Sequence, residues 1–172
     1  MPERSGAVAF MGNGLTLVGP EISVGDNAPD FSALDTNLND RTLKDYAGRV
    51  LVIACVPSLD TPVCDMETRR FNTEAAALGD DIRILTVSMD LPFAQARWCG
   101  AAGVDAVETL SDHRDASFGL AWGALVKELR LLTRAVFVVD RKGVVRHVQY
   151  VPEITEEPDY EAALEAARKA AS

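Results

Sequence analysis

The sequence predicts an α/β fold, and three observations carry that prediction. Val50-Leu51-Val52-Ile53-Ala54-Cys55-Val56 is continuously apolar and rich in β-branched residues, as expected of a central strand buried on both faces. Strands and helices alternate after it, and the chain closes with a strand hairpin followed by an amphipathic helix.

Each element has its own signal. Ala7 to Val18 reads as a hairpin, because two short apolar runs flank Gly12-Asn13-Gly14, a tripeptide that supplies positive φ. Asp26-Asn27-Ala28-Pro29-Asp30-Phe31 is a turn leading into a short strand, and Thr42 to Gly48 is a short helical or turn segment ending at a glycine. Pro57 ends the central strand. Val63 to about Leu78 is helical, Ile82 to Met89 is a strand, and a second helix opens at Pro92 and runs to about Ala102. A short strand near Val107 to Leu110 and a helical turn around Ala116 to Ala121 follow. A loop then leads to the strand Ala135-Val136-Phe137-Val138-Val139, which turns through Asp140-Arg141-Lys142-Gly143 into Val144 to Tyr150. The closing helix around Asp159 to Arg168 has apolar positions at Tyr160, Ala163, Leu164 and Ala167. Two βα units, a hairpin and a closing helix make the layout of a thioredoxin-like α/β sandwich. Residues 1–172 are expected to form one domain, with 1–20 as an N-terminal hairpin extension.

At 172 residues, 48% hydrophobic and 25% charged, the chain fits an ordinary globular domain. A chain of this size buries roughly 70% of its unfolded surface, so its core stands without disulfide staples or a structural metal. Its 26 acidic against 17 basic side chains give a net charge of −9, which repels phosphate backbones and anionic membranes. The longest apolar run, Val50 to Pro57, is too short to span a bilayer, and Met1-Pro2-Glu3-Arg4-Ser5-Gly6 shows no secretory signal. The reading is therefore a cytoplasmic protein with no nucleic-acid or membrane partner. Three cysteines cannot all pair within one chain, so at least one thiol is free for other work.

Thr61-Pro62-Val63-Cys64 follows the central strand and starts the first long helix. Thr is a favoured N-cap and Pro a favoured first helical residue, so Cys64 falls in the first turn, where unpaired amides and the helix dipole stabilise an anion. A thiolate there is a nucleophile. The alternative is that Cys64 is only a small core residue at a helix start. Asp60 and Asp65 bring negative charge close by and disfavour a thiolate, so a cation from elsewhere is needed. Arg134, at the entry to the strand Ala135 to Val139, is the candidate; its alternative is a solvated strand-end charge. Cys99 lies inside the second helix beside Trp98, and alone reads as packing. Cys55, centred in the apolar strand, reads as core. No C-x-x-C occurs, His113 and His147 lie in separate segments, and no Gly-rich phosphate loop is present, which argues against a metal site, a dithiol reductase and a phosphate cofactor.

Pro57-Ser58-Leu59-Asp60-Thr61-Pro62-Val63-Cys64 has the Pro-x-x-x-Thr-x-x-Cys form of peroxiredoxins. Leu91-Pro92-Phe93-Ala94-Gln95-Ala96-Arg97-Trp98-Cys99-Gly100-Ala101 resembles the resolving-cysteine helix of the bacterial thiol peroxidases, the atypical two-cysteine branch of that family. The resemblance spans essentially the whole chain and implies a peroxiredoxin-type thioredoxin fold. It implies that Cys64 is the peroxidatic cysteine and Cys99 the resolving one, with Thr61 and Arg134 completing the peroxide pocket and Pro57 shaping it. It further implies reduction of hydrogen peroxide and organic hydroperoxides through a Cys64 sulfenic acid and a Cys64–Cys99 intramolecular disulfide. Thioredoxin would be the reductant, the chain would pair as a homodimer, and no cofactor is called for. Thr61 can cap the helix, bond the sulfur and the incoming peroxide, or do both. A competing reading from another class is a redox-sensing interaction module that uses the same disulfide as a switch.

Overall fold

The computed structural model describes residues 1–172, the side chain of Ala76 aside. Strand β1 (Glu3–Phe10) pairs antiparallel with β2 (Asn13–Val18). β3 (Ser32–Leu34) and β4 (Asp40–Thr42) follow, and a 3₁₀ turn at Leu43–Tyr46 leads to β5 (Val50–Cys55). Helix α1 (Pro62–Leu78), β6 (Ile82–Ser88), α2 (Pro92–Ala102) and β7 (Glu108–Ser111) complete the alternating part. The short helix α3 (Ser117–Ala121), β8 (Leu125–Val126) and β9 (Leu131–Leu132) come next. β10 (Ala135–Val139), β11 (Val145–Tyr150) and α4 (Tyr160–Ala171) end the chain.

The main sheet has seven strands in the order β11-β10-β5-β6-β7-β3-β4. β5, β6 and β7 run parallel, and β10 lies antiparallel against β5, with Ala135 opposite Cys55. The pleat sends alternate residues of β5 to opposite faces. Val50, Val52 and Ala54 join a core with Phe71 of α1 and Tyr160, Ala163, Leu164 and Ala167 of α4, with Trp98 and Cys99 of α2 against it. Leu51, Ile53 and Cys55 face the other core, built on Phe31, Phe118, Trp122 and Phe137. The mixed α/β architecture is the predicted thioredoxin-like fold, with helices on both sheet faces.

The second sheet, β1-β2-β8-β9, differs in part from the expectation. Its hairpin turns at Met11-Gly12, with φ of 51° and 83°, and Asn13 already pairs with Phe10. A two-residue mirror-image turn needs positive φ at both central positions, which places it one residue before Asn13. β8 and β9 lie where a loop was expected, and β4 lies mostly in a stretch that carries no element signal in the sequence. Strands of two or three residues are too short to show a period of two, and they form because a neighbouring edge supplies the partner. Among the described residues no helix is long and apolar enough to cross a membrane.

Candidate active site

Cys64 is the third residue of α1 and fully buried, packed with Val56, Leu59 and Trp98. The helix begins at Pro62, and its first ladder bond runs from the Asp65 N–H to the Thr61 carbonyl at 2.9 Å. The N–H groups of Val63 and Cys64 therefore precede the ladder, and the positive end of the dipole meets the sulfur. Thr61 occupies the N-cap with extended backbone, yet its side chain makes no capping bond. Its hydroxyl donates to the Ser58 carbonyl at 2.9 Å, which corrects the capping expectation and leaves its oxygen lone pairs to accept a proton from a ligand. Pro57 is buried where β5 ends and the turn into α1 begins.

Arg134 supplies the cation. It precedes β10 directly, and the β5–β10 pairing carries it to the end of β5 from which the Cys64 turn departs. The guanidinium is buried at 2% exposure, and each of its nitrogens is held. Nη2 donates to Cys64 Sγ at 3.1 Å, Nη1 to Glu67 Oε1 at 3.2 Å, and Nε to the Ile154 carbonyl at 2.8 Å. Burial alone would lower the Arg134 pKa; the negative charges of Glu67 and Cys64 outweigh it and raise it. A planar fork anchored on two sides leaves its third edge to the sulfur.

Glu67 is the site residue that sequence reasoning missed. It is completely buried one turn after Cys64 on the same helix face, and its Oε2 has no hydrogen-bond partner among the described residues. Burial pushes its carboxyl up to about 7, against the opposing pull of Arg134. A signal existed in the spacing. Cys64, Glu67, Thr68, Phe71 and Ala75 form one helical stripe, and a glutamate in such a stripe calls for a buried cation. Of the nearby acids predicted to oppose a thiolate, Asp65 is paired with Arg69 at 2.9 Å and Asp60 is exposed.

The other two cysteines lie apart from this arrangement, and all three thiols are free. Cys55 is buried in β5, and burial together with the Glu67 charge pushes its thiol well up. Cys99 is half-buried on α2, with Sγ 3.8 Å from Thr109 Oγ1 on β7, and burial pushes its thiol up as well. Trp98 packs on both clusters and so links the Cys64 turn to the Cys99 helix. The structure thus brings Cys64, Arg134 and Glu67 together and leaves Cys99 with partners of its own. Among the described residues no group of three or more His, Cys, Asp or Glu side chains is arranged to hold a metal ion.

A buried sulfur between a helix start and an anchored guanidinium, on a thioredoxin-like frame, is an arrangement suited to thiol-based redox chemistry. Residues 23–164 match the Redoxin family. The thiol peroxidase of Bacillus subtilis (strain 168) is 57% identical over 161 residues, 94% of this chain and 96% of that protein. The thiol peroxidase of Halalkalibacterium halodurans is 55% identical, covering 95% of this chain and 98% of that protein. A solved structure described as a peroxiredoxin-like protein from Aquifex aeolicus superposes with a TM-score of 0.90 at 41% identity, covering 97% of each chain. The chain belongs to the peroxiredoxins, within their thiol peroxidase group, and is an enzyme of that family. The resemblance read from the Pro57-to-Cys64 and Leu91-to-Ala101 motifs is thereby borne out.

Proposed function

We propose that this protein reduces hydrogen peroxide and organic hydroperoxides, with Cys64 as the nucleophile and Cys99 as its resolving partner. The observation that carries the reading is the 3.1 Å bond from Arg134 to Cys64 Sγ, made by a guanidinium that Glu67 and Ile154 hold in place. Thiolate Cys64 attacks the nearer oxygen of the peroxide, the O–O bond breaks, and the departing oxygen takes a proton and leaves as water or alcohol. Arg134 and the first-turn amides stabilise the charge that develops on that oxygen. Thr61, whose own proton is committed to Ser58, accepts the peroxide O–H and orients it.

Cys64 is then a sulfenic acid. The Cys99 thiol displaces its hydroxyl as water and forms a Cys64–Cys99 disulfide, which protects Cys64 from irreversible oxidation. Thioredoxin, the proposed reductant, transfers two electrons and two protons to return both thiols. The two sulfurs must come within about 2 Å, so at least one of α1 and α2 unwinds locally. A cytoplasmic homodimer is the proposed working state.

Peroxide-dependent NADPH oxidation in the presence of thioredoxin and its reductase tests the reading. Wild type is expected to turn over and Cys64→Ser to lose all peroxide-dependent activity. A Cys64→Ser variant as active as wild type overturns the assignment. Rapid disulfide formation without steady turnover would instead favour a redox-sensing module.

A further inference from the structure

The Cys64 turn and the Cys99 helix are fastened to one carboxylate. Asp90 sits between β6 and α2, outside the helix that carries Cys64. Its Oδ1 accepts the Ser58 hydroxyl at 2.7 Å and its Oδ2 accepts the Leu59 N–H at 2.9 Å. Ser58 in turn receives the Asp60 N–H on its hydroxyl at 3.2 Å, and the Thr61 N–H and hydroxyl on its carbonyl at 3.2 and 2.9 Å. One arm of Asp90 therefore reaches the N-cap of α1, three residues before Cys64.

The second arm reaches α2. Asp90 Oδ2 also accepts the Ser88 hydroxyl at 2.7 Å, and the Ser88 oxygen receives Gln95 Nε2 at 3.1 Å, one helical turn before Cys99. Ser111 adds a bond from its hydroxyl to the Asp90 carbonyl. Gln95 Nε2 also donates to the Leu110 carbonyl at 2.9 Å, but other polar groups under α2 lack partners. Thr86 Oγ1 and Gln95 Oε1 are buried without a partner among the described residues, and the one polar contact of the Cys99 thiol is the 3.8 Å approach to Thr109. α2 offers only the half-buried Trp98, Cys99 and Ala102 to the core it shares with α4, whereas α4 buries Tyr160, Ala163, Leu164 and Ala167, so α2 is the more easily released.

We propose that Asp90 is a positioning residue that clasps the Cys64 turn and the Cys99 helix in one closed arrangement and sets the balance between peroxide attack and disulfide formation. The inference rests on the peroxidase reading above. Closed, the clasp holds Cys64 in the first turn of α1 against Arg134. Open, it frees the 58–64 turn and the first turns of α2 together, as the meeting of the two sulfurs requires. Asp90 touches neither sulfur in this structure; it acts through Ser58, Leu59, Ser88 and Gln95.

Asp90→Ala tests this with two readouts. Stopped-flow tryptophan fluorescence, read in a Trp122→Phe background so that Trp98 alone reports, separates the reaction with peroxide from disulfide formation, and hydrogen exchange reads the amides of 58–64 and 92–99. Loss of the charge-assisted bonds to Ser58, Leu59 and Ser88, the last of which carries Gln95, is expected to accelerate disulfide formation about tenfold, to raise exchange in both segments about tenfold, and to slow peroxide attack. A merely destabilised protein would raise exchange throughout the chain and not in these two segments alone. Disulfide formation unchanged or slower than wild type overturns the proposal, as does faster exchange in only one segment. Where Asp90→Ala does not fold, Asp90→Asn, which keeps the size and one acceptor, gives the same pair of readouts. A wild type that forms no Cys64–Cys99 disulfide overturns the peroxidase reading instead, and the exchange result then judges the clasp by itself.

Discussion

Arg134 shows why a buried charge at this site needs three partners. Its guanidinium leaves water, and Glu67, Ile154 and Cys64 replace the lost hydration in a geometry that one ammonium group cannot reproduce. Arg134→Lys is expected to lower the second-order rate with peroxide by about a hundredfold, as removal of a preorganised donor does. Arg134→Met leaves Glu67 buried and unpaired, and urea denaturation should show a loss of about 3 to 5 kcal/mol. The double variant Arg134→Met with Glu67→Met should regain most of that stability but none of the rate. If the double variant regains activity, the guanidinium has no part in the chemistry. Much of this site was legible, because Thr61-Pro62 at a helix start is local grammar that places Cys64 without knowledge of the fold. Glu67 was not read, since a lone glutamate in a helix is ordinarily solvated and its partner lies 67 positions away.

Among the elements, the parallel core was the easier part to read and the small sheet the harder. β5 and β10 announce themselves by composition, and Pro92 opens α2 where predicted. β8 and β9 carry no such sign, because β8 pairs with a hairpin over a hundred residues earlier in the chain and β9 pairs in turn with β8. Close backbone approach docks that hairpin. Gly19, at φ +108°, stands where a Cβ would lie 2.2 Å from the Leu120 carbonyl oxygen. Gly19→Ala is expected to destabilise the protein by about 2 kcal/mol through steric clash and backbone strain. Calorimetry should show a fall in Tm of roughly 5 °C. An unchanged Tm would mean that the small sheet docks more loosely than this contact requires. Thr61 shows how far local grammar reaches. Its place at the helix start followed from sequence, but the direction of its hydroxyl depends on the Ser58 carbonyl in the preceding turn.

Across the whole molecule, stability and chemistry share the same buried pair. The Glu67 carboxyl rises from an ordinary 4.5 to about 7 on folding because burial penalises its charged form. The folded state then holds a proton that the unfolded state releases, so stability falls as pH rises. This contribution is complete below about 4.5 and lost by about 7. Asp112, which burial raises to about 6, acts in the same direction, so the comparison that isolates Glu67 is with Glu67→Gln. Urea denaturation at pH 5 and pH 8 should show a larger loss in wild type than in Glu67→Gln. Equal losses would mean that Glu67 stays ionised across the range. The sheet order was the least legible feature at this scale, since the docking of β3 on β7 rests on the Leu34–Ser111 pairing and on no periodicity in either segment.

The central claim is that Cys64 attacks, Cys99 resolves and Cys55 stays buried and idle. Treatment of the reduced protein with one equivalent of hydrogen peroxide, followed by mass-spectrometric mapping of its cysteine-containing peptides, tests all three together. The account predicts a Cys64–Cys99 linkage within one chain and an unmodified Cys55 thiol. A Cys55–Cys64 bridge, or a Cys64 left unmodified while peroxide is consumed, would contradict it.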